Sequence, residues 1–105
     1  MKEAEDCRSI DEIRECIDEV DYHIIEAFGK RMEYVREIVK FKNDAEGIVA
    51  RDRQLKVFQK RREWAQDFGL NPDLFEEMYK LLVNWNVQKE LEIFRNNEKE
   101  NSNQI

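Results

Sequence analysis

Residues 10–41 read IDEIRECIDEVDYHIIEAFGKRMEYVREIVKF, and a heptad ruler laid along them decides the fold. The seam falls at Ile10, Ile13, Ile17, Val20, Ile24, Ala27, Arg31, Tyr34, Ile38 and Phe41. Nine of these ten positions are apolar or aromatic, and Arg31 is the exception. Such spacing predicts one long helix with a continuous apolar seam. At 1.5 Å per residue the rod is roughly 50 Å long, more than the width of a small domain. It therefore packs along a partner, most simply a second copy of itself. Gly29 costs about 1 kcal/mol in a helix interior, and close approach of another backbone is one reason to accept that cost. An unpaired buried charge is far more costly, so Arg31 needs either a buried partner or a cavity that takes an anion.

Local signals punctuate the rest of the chain. Ser9 followed by Glu12 is a capping-box pattern that opens the first helix, which runs to about Lys42. Asn43 to Gly47 breaks the periodicity and reads as a loop. A second helix spans about Ala50 to Phe68, with Leu55, Phe58, Trp64, Ala65 and Phe68 facing inward. Gly69 stops it. Asn71-Pro72-Asp73 supplies an N-cap, a proline at the first helical position and an acidic first turn for a third helix. That helix runs to about Arg95. Trp85 reads as core and His23 as surface. Residues 1–95 thus form a single all-α, three-helix domain, and residues 96–105 a polar, disordered tail.

Composition narrows the function. The chain has 105 residues, 41% hydrophobic and 40% charged, with three glycines and one proline, a helical profile with solvated outer faces. A net charge of −6 argues against a nucleic-acid or membrane-surface role, because phosphates need a basic face. Cys7 and Cys16 read as reduced thiols of a cytoplasmic protein. No segment has the pattern of a signal peptide, and none approaches the ~20 apolar residues that span a bilayer. One histidine and two neighbouring cysteines make no closed zinc site, and no glycine-rich phosphate loop is present.

Polar residues on apolar faces carry the remaining signal. Arg14, Asp21, Phe28, Val35 and Lys42 share one column of the first helix. Lys42 lies about three turns past Arg31, roughly 16 Å along the axis, so two long side chains can lean toward one small ligand. Arg14 lies roughly 42 Å from Lys42, too far to share a site within one helix. An antiparallel partner would bring a second Arg14 there. On the third helix, Phe75, Tyr79, Leu82, Asn86, Glu90 and Ile93 follow helical spacing, and Asn86 and Glu90 interrupt an otherwise apolar row. A plainer reading stands beside this one: cations on a helix flank reach solvent or surface carboxylates, and Glu90 pairs with Arg31 or Lys42 inside a bundle. The sharper reading is a cationic pocket with a polar roof, suited to a small polyanion.

These residues resemble a known family. Glu5-Asp6-Cys7, Ile13-Arg14-Glu15, Ile17-Asp18, Asp21, Gly29-Lys30-Arg31-Met32, Tyr34-Val35, Phe41-Lys42, Arg53, Trp64-Ala65, Gly69-Leu70 and Trp85 look like bacterial isochorismate pyruvate-lyases of the all-helical chorismate mutase family. The resemblance covers about residues 5 to 95 with almost no gaps. It implies an intertwined homodimer of three-helix subunits, acting without cofactor or metal on a chorismate-type dicarboxylate. It implies that Arg31 and Lys42 bind substrate, that Arg14 comes from the other subunit, and that Asn86 and Glu90 line the pocket. Lys42 and Glu90 are the catalytic candidates, and Arg51 is a further binding candidate. The lyases carry glutamine at the position of Glu90, and mutases often carry arginine near Arg51. These two residues lean toward a mutase, whereas the overall match favours a lyase with mutase activity. The reading from another class is a non-catalytic helical dimeric interaction module, against which the joint presence of Arg14, Arg31 and Lys42 speaks.

Overall fold

The computed structural model describes residues 2–103. Among the described residues there is no strand. After a 3-10 turn at Ala4–Asp6 come α1 (Ile10–Ile38), a 3-10 turn (Val39–Phe41), α2 (Ala45–Val49), α3 (Arg51–Asp67) and α4 (Pro72–Asn103). The all-α class with three long helices agrees with the sequence. The residues form two compact units, one ending at Tyr34 and the other beginning at Val35.

The first unit is dominated by α1. Ser9 opens it as expected, its Oγ accepting the N–H of Glu12 at 3.1 Å. The reciprocal half of the capping box is displaced by one residue. The Glu12 carboxylate accepts from the N–H of Arg8 at 2.8 Å rather than from Ser9, and pairs with Lys2 Nζ at 3.2 Å. No residue of α1 is buried in the single chain. Ile10, Ile17 and Tyr34 of its apolar seam are each more than half exposed. Gly29 has open space where a Cβ would sit. His23 is exposed, as expected, and its Nδ1 lies 3.3 Å from Glu26.

The second unit holds the core. α1 tightens into the 3-10 turn after Ile38, and Lys42 leaves it in extended conformation. The stretch expected as a loop contains a helix. Asp44 accepts from the N–H of Gly47 at 2.7 Å and so caps α2. Five residues are too few to show a period, but Ile48 is buried and pins this turn to α4. Ala50 joins α2 to α3 with a left-handed φ of 44°.

α3 ends in the Schellman arrangement: the N–H of Leu70 bonds the carbonyl of Ala65 at 2.8 Å, and that of Gly69 the carbonyl of Gln66 at 3.0 Å. Gly69 adopts φ +72°, where a side chain is strained. Asn71 then caps α4, its Oδ1 accepting from Asp73 at 2.9 Å and Leu74 at 3.2 Å. Arg62 ties the two helices, 2.8 Å from Asp73 and 3.6 Å from Glu76.

Ile48, Val57, Val83 and Val87 are the buried cluster, with Phe58, Tyr79, Leu91 and Phe94 packed around it. Full burial of each aliphatic side chain contributes about 1.5–3 kcal/mol. Ala65 and Phe58 face inward as expected, but Leu55, Trp64 and Phe68 are exposed. The α3 face that meets α4 runs through Val57, Phe58, Arg61 and Ala65, so Leu55 falls on the far side and Phe68 lies past the last turn. Trp85, also expected in the core, is about half exposed. α4 continues to Asn103 instead of stopping near Arg95. No glycine or proline interrupts residues 96–103, and Glu98, Lys99 and Glu100 are good helix formers. Gln104 and Ile105 of the expected disordered tail lie outside the described residues.

Candidate active site

α4 supplies the two polar groups that the core admits. Asn86 and Glu90 are buried within the apolar row that the helical spacing defined, and neither is unpaired. Val83 and Val87 flank them on the same face and are buried too. Water is therefore largely excluded around one amide and one carboxyl group. Hydrogen bonds made there are stronger than at the surface.

Lys42 enters from a neighbouring element. The 3-10 turn that precedes it packs on α4, because Val39 is buried and anchors it there. The N–H of Lys42 bonds back to the carbonyl of Val39 at 3.1 Å, which fixes the point where the side chain departs. Its stem is half-buried and passes Gly47, where an added Cβ would lie 3.8 Å from the Lys42 side chain and 3.3 Å from the Asp44 carboxylate. Glycine leaves room for both the α2 cap and the lysine stem. Thus Lys42, Asn86 and Glu90 belong to packed elements of one unit.

The other candidates are placed differently. Arg31 is part-buried in the first unit and is not unpaired. Arg14, also in the first unit, is exposed, with Asp11 3.9 Å away on the preceding turn. Arg51 opens α3 at the surface. It lines an open groove of about 890 Å³ with Asp44, Glu46, Asp52 and Arg53, and none of Lys42, Asn86 or Glu90 lines that groove.

One arrangement left no trace in the sequence. The Arg61 guanidinium lies 4.6 Å from the Trp64 ring centre and 5.4 Å from that of Tyr79, and its Nε is buried without a hydrogen-bond partner. Arg61 reads as one charge in a basic run, and only the α3–α4 packing reveals it between two rings. Among the described residues there is no cluster of His, Cys, Asp or Glu able to hold a metal ion, and no helix long and apolar enough to cross a membrane.

The profile of the family described as chorismate mutase type II matches residues 13–91. An isochorismate pyruvate lyase of Pseudomonas aeruginosa is 33% identical over 95 residues, which cover 90% of this chain and 94% of that one. A T-protein of Haemophilus influenzae is 32% identical over 71 residues, 67% of this chain but 19% of the relative.

Proposed function

This chain belongs to the chorismate mutase type II family, and from that premise we propose that it is a cofactor-independent isochorismate pyruvate-lyase that also has chorismate mutase activity. The observation that carries the lyase reading is the end-to-end match to the Pseudomonas enzyme, which leaves almost none of either chain uncovered. A dedicated mutase is the second reading, favoured by Glu90 and Arg51.

Both reactions begin with a dicarboxylate bearing an enolpyruvyl ether. In the lyase reaction the ether C–O bond breaks while a ring hydrogen moves to the enolpyruvyl methylene carbon, giving salicylate and pyruvate. In the mutase reaction the same bond breaks as a carbon–carbon bond forms, giving prephenate. Neither needs a nucleophile. The protein has to hold the side chain over the ring and stabilise the charge that develops on the ether oxygen.

Arg31 and Arg14 clamp the carboxylates through charge-assisted bonds, each contributing about 1.5–3 kcal/mol. Lys42 donates to the ether oxygen and one carboxylate. Glu90, when protonated, donates to the ether oxygen, and Asn86 fixes the ring side of the ligand. Arg51 assists from the start of α3. Burial of Asn86 and Glu90 and the seating of the Lys42 turn on α4 support these roles.

The subunit works as an intertwined homodimer in which Arg14 serves the partner's site. The exposed seam of α1 supports this, since an apolar stripe of that length needs cover. Residues 1–95 act as one domain within the dimer. Two free thiols suit a cytoplasmic location.

Purified protein incubated separately with isochorismate and chorismate tests the proposal. Salicylate and pyruvate should appear in equal amounts from isochorismate, and prephenate more slowly from chorismate. Prephenate alone selects the dedicated mutase. Turnover of neither compound overturns the enzyme reading.

A further inference from the structure

The first unit sets two cysteines around one largely apolar recess. Cys7 and Cys16 line the same cavity of about 290 Å³, together with Ile13, Ile17 and Val20. Cys7 caps the 3-10 turn, its N–H bonding the carbonyl of Ala4 at 3.3 Å, and its Sγ lies 3.8 Å from the carbonyl of Glu3. Cys16, on the second turn of α1, lines the recess from the other side.

The placement of both cysteines at this recess is set by neighbours that contain no sulfur. Ser9 caps α1 and turns the chain, while the Glu12 carboxylate holds both the N–H of Arg8 and the Lys2 ammonium. The segment before α1 is thereby folded back on the second turn of the helix. A pair held in this way has already lost most of the entropy that ring closure costs. Both residues are half-buried in the single chain.

We propose that Cys7 and Cys16 are a redox pair that closes reversibly into an intrachain disulfide when a low-molecular-weight disulfide such as oxidised glutathione is supplied. One protein thiolate attacks a sulfur of the oxidant and releases a glutathione thiolate. The second protein thiolate then attacks the protein sulfur of the mixed disulfide and releases the other. The protein loses two hydrogens, and the oxidant gains two electrons and two protons. A dithiol reductant reverses both steps. Burial, and next the neighbouring Cys16, raises the Cys7 thiol above its ordinary range, which lowers its thiolate fraction and slows its attack at neutral pH.

The closed ring contains the Ser9 cap and Arg14. Oxidation would therefore stiffen the first turns of α1 and with them the arginine assigned to the partner's site. That consequence rests on the functional reading above, whereas the chemistry does not.

Oxidised glutathione added to the reduced full-length protein, followed by intact-mass spectrometry, tests the proposal without reference to activity. The expected product is two hydrogens lighter, carries no glutathione, and reverts with dithiothreitol. Cys7→Ser and Cys16→Ser should each instead retain one glutathione on the remaining thiol. Two glutathiones on the wild-type chain, a cross-link between chains on a non-reducing gel, or unmodified thiols would each overturn it.

Discussion

Asn86 and Glu90 stand one helical turn apart on α4, and both are buried, at 4% and 8% of full exposure. An amide and a carboxyl in such a setting differ in one respect that matters for an ether-cleaving site. The amide donates a hydrogen bond at every pH, and the carboxyl only while it holds its proton.

Turnover should therefore fall as pH rises and Glu90 loses that proton. Glu90→Gln keeps the shape, replaces the conditional donor by a permanent one, and should flatten the profile. Glu90→Ala removes the donor and should lower kcat by about a hundred- to a thousandfold. The check is kcat/KM for all three proteins from acid to mild alkali. A flat wild-type profile contradicts the assignment.

Ile48 is the anchor by which the five-residue α2 is held to α4, and it is 3% exposed. Ile48→Ala removes buried methyl groups and leaves a cavity, at a cost of about 2–5 kcal/mol. Urea unfolding should show a lower midpoint with an unchanged slope. Because Lys42 leaves its turn just before α2, activity should fall further than the loss of folded protein accounts for.

Two left-handed positions should respond in opposite directions. Gly69 adopts φ +72° with open space around the missing Cβ, so Gly69→Ala meets backbone strain and no clash. It should destabilise by about 1–2 kcal/mol. Ala50 already bears that strain at φ 44°. Ala50→Gly relieves it, and the greater freedom of the unfolded glycine offsets part of the gain, leaving a rise of under about 1 kcal/mol. Thermal unfolding of the two variants reads the sign directly.

These contrasts show what the chain made legible. Ser9, Gly69 and Asn71-Pro72 were readable because capping chemistry is local and each residue type suits its backbone position. Asn86 and Glu90 stood out because each breaks an apolar row whose period is plain. α2 was hidden because one turn of helix has no period, and its cap, Asp44, looks like any loop residue. Leu55, Trp64 and Phe68 were misjudged for a different reason. Periodicity finds apolar residues at helical spacing but does not say which neighbour covers them, and α4 covers only the face through Val57 and Ala65. The Arg61 stacking depends wholly on that packing.

The start of α1 should be sensitive to acid. The N–H of Arg8, and then the Lys2 ammonium, hold the Glu12 carboxyl below its ordinary range. A carboxylate favoured in the folded state stabilises it fully above the unfolded value, and that contribution fades as pH falls through the folded one. Protection of the Arg8 and Ile13 amides, measured relative to their intrinsic exchange at each pH, should therefore fall as Glu12 is protonated, before the α3–α4 core loosens. Glu12→Gln should show the lower protection already at neutral pH, with no further change in protection on mild acidification.

The sharpest test of the composite site is complementation between two inactive variants. Lys42→Ala should fold normally and lose about a hundred- to a thousandfold in rate. Arg14→Ala loses a carboxylate clamp and should show a raised KM together with a lower kcat. If Arg14 serves the partner's pocket, a mixed dimer of the two variants holds one intact site, built from the Lys42 of one chain and the Arg14 of the other, and one site lacking both. Random reassortment makes half of the dimers mixed, so about a quarter of all sites should recover wild-type turnover. If Arg14 served its own chain's pocket, every site in the mixture would lack one group, and mixing would restore nothing. Unfolding and refolding the variants together, with each refolded alone as control, separates the two outcomes.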